Sequence, residues 1–128
     1  MKSRTKAALA LVAAFGLGGA VVEGLHAQAK SKAIYTVNEI SVSDLDGYMK
    51  EYAPKAQAAI KAHGGQLIAA SQNVKSYEGA APAKRVAIQR WDNPEQYEKY
   101  RGSAAFKENR KIGDKYAKFR AYSVEANN

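Results

Sequence analysis

Twenty lysines and arginines stand against 12 acids in this 128-residue chain, giving a formal charge of +8, and there is no cysteine. That length suits one domain, and the missing cysteine excludes disulfides, thiolate catalysis and Cys-type zinc sites. The basic balance favours anionic partners, but Glu95, Glu98, Glu108 and Asp114 are interspersed with the cations, which is the pattern of a solvated surface and not of a nucleic-acid footprint.

The chain begins with Lys2, Arg4 and Lys6, continues uncharged from Ala7 to Val22, and reaches the small-x-small triplet Ala27-Gln28-Ala29. That order predicts a cleavable signal peptide over residues 1–29. A retained anchor needs roughly 20 apolar residues, and this run is shorter and interrupted by Gly16, Gly18 and Gly19. The expectation is a periplasmic or secreted domain, residues 30–128, with no stable membrane anchor after cleavage.

Ala33 to Val42 is rich in β-branched and aromatic residues and reads as a first strand. Ser43 offers an N-cap with Asp46 as its capping-box partner. Leu45, Tyr48, Met49, Tyr52, Ala56, Ala59, Ile60 and His63 then recur at helical spacing. Pro54 predicts a break near Tyr52–Ala53, and Gly64-Gly65 ends the helix, one glycine supplying a left-handed cap. Gln66 to Ser71 reads as a second strand that resumes over Val74–Tyr77, before a loop at residues 78–82. Arg85 to Trp91 is a third strand, with Val86 and Ile88 on one face and Ala87 and Trp91 on the other. Asn93-Pro94-Glu95 starts a second helix, which pauses at Gly102-Ser103 and restarts with Phe106, Ile112 and Tyr116 inward. Phe119 to Glu125 is the last strand.

The order β-α-β-β-α-β predicts an α+β, ferredoxin-like fold: a four-stranded antiparallel sheet with two helices on one face. The other face should alternate with solvent-facing polar residues. Instead Tyr35, Val37, Tyr122 and Val124 fall on it, so a second copy of the sheet is its expected cover.

Tyr35-Thr36-Val37-Asn38-Glu39-Ile40, Ala62-His63-Gly64-Gly65, Arg85-Val86-Ala87-Ile88 and Ser103-Ala104-Ala105-Phe106-Lys107 follow one another in an order that resembles the domain of unknown function 1330 family, within the dimeric α/β-barrel superfamily. The stretch from Gly24 to Lys30 is similar to the signal junction of exported members from Gram-negative bacteria. The resemblance implies a homodimer whose sheets face each other in a barrel, and it carries no catalytic residues over to this chain. Arg90-Trp91 departs from the less basic, Phe-type strand end that the family implies.

The candidate ligand-binding residues are Glu39, Arg90, Trp91 and Tyr48. Strands one and three are expected to lie adjacent and parallel, which would bring Glu39 and Arg90 together at their carboxyl ends as an ion pair at a cavity mouth. An exposed pair of that kind is worth about 0–1 kcal/mol and would otherwise be structural. His63, in the last helical turn, is explained by the helix dipole, and one histidine without cysteine cannot build a His-rich metal site. Tyr48, Tyr52, Tyr97, Tyr100 and Tyr116 have the spacing of core or interface side chains. No RNP-type aromatic strand supports RNA binding. Ser41-Val42-Ser43-Asp44 lacks the glycine-rich anion loop of acylphosphatases, and there is no P-loop or dinucleotide fingerprint. No cofactor or metal is called for.

The first functional expectation is a homodimeric barrel that binds a small, partly apolar molecule. The alternatives are a cofactor-independent oxygenase or isomerase, by analogy of fold, and a basic periplasmic protein associating with anionic surface polymers. The last requires Lys84, Arg85, Lys107, Arg110, Lys111, Lys115 and Lys118 to gather on one exposed face.

Overall fold

The computed structural model describes residues 31–127; the expected signal peptide, residues 1–29, lies outside them. Strand β1 (Ile34–Val42) leads into helix α1, which opens with a turn at Leu45–Gly47, widens into a π-turn at Tyr48–Tyr52 and continues as a regular helix over Ala53–Ala62. Strands β2 (Gln66–Ser71) and β3 (Arg85–Trp91) follow, then helices α2 (Pro94–Arg101) and α3 (Ala104–Gly113), and finally β4 (Ala117–Glu125). The sheet has four strands in the order β2-β3-β1-β4, and every adjacent pair is antiparallel. This is the ferredoxin-like α+β arrangement. Among the described residues no helix is long and apolar enough to cross a membrane.

The local chemistry explains the boundaries. Pro54 lacks an N–H, and its ring crowds the carbonyl four residues back in an α-helix. The chain answers with a wider turn, in which the Ala53 amide bonds to the Tyr48 carbonyl five residues back. The expected break is therefore a π-turn in a continuous helix. The N-cap is Asp44, whose carboxylate accepts from the Gly47 amide at 3.1 Å; Ser43 instead donates its hydroxyl to the Tyr116 carbonyl at 2.9 Å, tying the end of β1 to the start of β4. Gly64 adopts φ +87° and turns the chain out of α1. Asn93 and Ser103 cap α2 and α3 as their side chains accept from the Gln96 and Phe106 amides.

Three expectations need correction. Val74–Tyr77 forms no strand, because nothing pairs with it and Tyr77 is 86% exposed. Strand β4 begins at Ala117, since pairing with β1 extends to Val42↔Ala117. Most consequentially, β3 runs antiparallel to β1, with Tyr35 opposite Arg90 and Glu39 opposite Val86. The α1 crossover returns β2 parallel to β1, and the loop to β3 reverses the chain into the gap between them. Glu39 and Arg90 are thus separated by about 14 Å along the strands at about 3.4 Å per residue.

The two sheet faces alternate as expected. Ile34, Thr36, Asn38 and Ile40 are buried under the helices, while Tyr35, Val37 and Glu39 are half-buried on the open face. Arg85, Ala87, Gln89 and Trp91 are likewise buried on β3. The core divides in two: Ile40, Tyr48, Tyr52, Ala53, Ala56, Ala87 and Ala117 at one end, and Ile34, Ala59, Ile60, Trp91 and Tyr100 at the other.

Candidate functional site: a polar interior and its outer groove

The helix-covered face is not uniformly apolar. Thr36, Asn38, Arg85 and Gln89 are 0–7% exposed and share that face with Ile34, Ile40, Ala87 and Trp91. Buried polar groups are tolerated where they are hydrogen-bonded. Gln89 supplies one such hub, its Oε1 accepting from Thr36 Oγ1 at 3.2 Å and from Trp91 Nε1 at 3.1 Å. Asn38 Nδ2 donates to the Ala87 carbonyl at 3.4 Å.

Between this polar strip and the helices lies a cavity of about 50 Å³, walled by Asn38, Arg85 and Gln89 from the sheet, Tyr48 and Tyr52 from α1, Tyr100 from α2 and Arg110 from α3. Its volume matches one or two waters at roughly 30 Å³ each and falls below the roughly 300 Å³ where small-molecule pockets begin. It has room for a functional group, not for a whole organic ligand. A second space, an outer groove of about 400 Å³, runs between the end of β1, the start of α1 and the loop before β3. Ile40 and Arg85 stand in the walls of both spaces, and Val42, Leu45, Pro82 and Lys84 complete the groove.

The electrostatics of the interior are lopsided. Among the described residues the ion pairs are Lys32–Glu125, Arg90–Asp92 and Glu39–Arg120, so neither Arg85 nor Arg110 has a carboxylate partner. The Nε of each is buried without a hydrogen-bond acceptor. Arg110 lies 3.8 Å from the Phe119 ring centroid and 4.7 Å from that of Phe106, and Arg85 lies 5.4 Å from that of Tyr48. Burial raises the pKa of Tyr48, reinforced by Tyr52 and opposed by Arg85 and Arg110. Burial likewise raises Tyr100, with Tyr52 adding to the effect and Arg110 opposing it. Both phenols therefore remain neutral at physiological pH. The cavity wall holds no carboxylate or imidazole among the described residues.

The four candidate residues part company. Tyr48 lines the cavity. Trp91 is fully buried and stacks on Tyr100 with centroids 5.0 Å apart at 28°. Glu39 lies on the open face, paired with Arg120 and accepting from the Ala83 amide at 3.2 Å. Arg90 pairs with Asp92 at 2.8 Å, so the expected Glu39–Arg90 ion pair does not form, because antiparallel register puts them at opposite ends of the sheet. His63 bonds the Ala59 carbonyl through Nδ1 at 2.7 Å and makes a T-shaped contact with the Tyr100 ring, centroids 5.5 Å apart, in keeping with its place at the helix end. The seven cations that the polymer-binding alternative requires on one exposed face are divided, since Arg85 is buried and Arg110 is half-buried against Phe106 and Phe119. Arg85, Arg110, Asn38 and Gln89 were not expected at a ligand site; for Asn38, Arg85 and Gln89 the signal was their parity, polar residues in phase with the apolar helix-facing positions of β1 and β3, whereas Arg110 enters from α3.

Comparison with known proteins establishes the fold. A structural-genomics protein of unknown function from Rhodopseudomonas palustris superposes with a TM-score of 0.64 at 11% identity, over 83% of this chain and 93% of that one. SnoaB, a cofactor-independent oxygenase from Streptomyces nogalater, superposes at 0.57 with 12% identity over 77% and 96%. A dimeric protein of unknown function and ferredoxin-like fold from Bacteroides fragilis gives 0.52 at 10% over 73% and 96%. No curated protein matches the chain. The family model described as a domain of unknown function (DUF1330) matches residues 33–127, nearly the whole of the described fold, and the chain belongs to that family.

Proposed function

We propose that this protein is a small-molecule-binding module that acts as a homodimer in the periplasm, joined through the open faces of its two sheets. The observation that carries the binding reading is the groove of about 400 Å³ whose wall shares the buried Arg85 with the polar interior. A partly apolar body fits against Val42, Leu45 and Pro82, and a polar end meets Arg85. The dimer is supported by Val37, Val86, Ile88, Tyr122 and Val124 on the open face, with Tyr122 47% and Val124 56% exposed in the single chain, and by a dimeric neighbour of the same fold. Export is supported by the basic start, the uncharged run from Ala7 to Val22 and the Ala27-Gln28-Ala29 triplet.

An oxygenase-like reading rests on the likeness to SnoaB, which at 12% identity is a likeness of fold. The described cavity favours binding over proton abstraction, because its wall holds arginines and phenols and no carboxylate or imidazole among the described residues. Native mass spectrometry of the protein purified from its own cell envelope tests the reading. The expected species is a dimer without residues 1–29 that retains a small molecule. Ile88→Glu, which places a charge in the middle of the open face, should yield monomer. A wild-type monomer would overturn the dimer, and an unprocessed cytoplasmic chain would overturn the export.

A further inference from the structure

Arginine cannot shed its proton within proteins, and an ion taken from water without a partner destabilises the fold heavily. Arg85 is 7% exposed, its Nε has no acceptor, and no described carboxylate pairs with it. Arg110 shares the cavity and the same deficit at Nε. Aromatic faces compensate Arg110 in part, at 3.8 Å and 4.7 Å from Phe119 and Phe106; the Tyr48 ring at 5.4 Å does less for Arg85. The Tyr48 side chain also hydrogen-bonds Arg85, but a phenol and a ring face supply no negative charge, and the Nε–H of each arginine remains without an acceptor.

We infer that the ligand is a small carboxylate, its carboxylate group lodged in the interior cavity against Arg85 and Arg110 and its apolar body lying in the outer groove. This rests on the binding reading above and specifies the chemistry of the ligand. The planar guanidinium matches a carboxylate with two parallel hydrogen bonds. The cavity of about 50 Å³ suits a group of that size, and the amides of Asn38 and Gln57 in its wall offer further donors. Among the described residues no carboxylate lines the cavity to compete for the arginines, burial raises the pKa values of Tyr48 and Tyr100, and Glu39, Asp92 and Glu125 are engaged in pairs elsewhere.

Isothermal titration calorimetry with benzoate, benzamide and phenyl phosphate tests the assignment, since the three share an apolar ring and differ in the group it carries. Benzoate should bind at least about ten-fold more tightly than benzamide, the ratio expected of charge-assisted hydrogen bonds. Arg85→Met should abolish that preference, while Arg85→Lys keeps part of it. Without ligand, Arg85→Met should also raise the Tm, because it removes a buried cation with no partner. Equal affinity for benzoate and benzamide would overturn the carboxylate and leave the binding module standing. A preference that survives in Arg85→Met, a lowered Tm in that variant, or tighter binding of phenyl phosphate would each overturn the assignment. Failure of all three compounds to bind would overturn it together with the binding reading.

Discussion

Replacing Gln89 with leucine strips one acceptor from two buried donors at once. Thr36 Oγ1 and Trp91 Nε1 both bond to Gln89 Oε1, at 3.2 Å and 3.1 Å, and both residues are fully buried. Each orphaned donor costs about 1–3 kcal/mol, and the new leucine returns roughly 1.5–3 kcal/mol by its own burial. The expected net loss is about 2 kcal/mol, a sizeable part of the roughly 5–15 kcal/mol that holds a domain folded. Trp91→Phe alone should cost about 1–2 kcal/mol, from the lost hydrogen bond and a reduced ring volume. In the Gln89→Leu background the same change removes one of the orphans, so the double variant should be more stable than additivity requires by about 1–2 kcal/mol. Urea denaturation of the four proteins of this cycle, with m held constant, gives the coupling directly. Additivity within about 0.5 kcal/mol would refute the reasoning and reduce Gln89 to a packing residue.

Alkaline pH should destabilise the fold. Tyr48 and Tyr100 are each 4% exposed and have raised pKa values in the native state, so the native state keeps protons that the unfolded chain releases near pH 10. Stability is thus full below about pH 10 and falls as pH rises toward the native pKa values, by up to about 1.4 kcal/mol per pH unit for each tyrosine; urea midpoints should drop accordingly, and Tyr100→Phe should flatten the fall. Gly65→Ala should cost about 1–3 kcal/mol by overpacking, because its methyl group would meet Trp91 at 2.6 Å and Ile60 at 2.8 Å; a Tm equal to that of wild type would refute the close approach. Glu39→Gln and Arg90→Ala, in separate ion pairs, should combine additively within about 0.3–0.5 kcal/mol, and a larger coupling in thermal melts would restore their direct contact.

Much of the scaffold was legible because its signals are local. Asn93 before Pro94 and Ser103 before Ala104 announce helix starts, and Gly64 announces a stop. The period-two sorting of Ile34 and Ile40 against Tyr35 and Val37 matches the two faces. What escaped was relational. The direction of β3 against β1 depends on a crossover and a reversal, not on any residue within either strand, and a mistake there moved Arg90 to the wrong end of Glu39. Val74 and Tyr77 have strand-forming side chains, but propensity cannot provide a neighbour to bond with. The polar interior was written in the alternation of Thr36, Asn38, Arg85 and Gln89 with apolar residues. Reading it demanded attention to polar residues in the buried phase, whereas their chemistry taken singly suggested a surface. Arg85 and Arg110 illustrate the point: as charges they counted toward a basic exterior, and only packing turns them inward.

The π-turn at Tyr48–Tyr52 makes the helix a phase shifter. An α-helix advances 100° per residue, since 3.6 residues complete a turn, so one additional residue in a widened turn offsets everything before it against everything after it. Tyr48 and Tyr52 face the interior on one side of that offset, and Ala56, Ala59 and Ile60 on the other. Pro54→Ala without any deletion, by permitting an unbroken α-helix over the same residues, would rotate the preceding segment by about 100°. Such a change removes no wall of the cavity from the sequence, yet it takes Tyr48 away from Arg85. A chain of the same length without the widened turn would on that account present different walls to whatever the groove holds, with the sheet and its arginine unaltered.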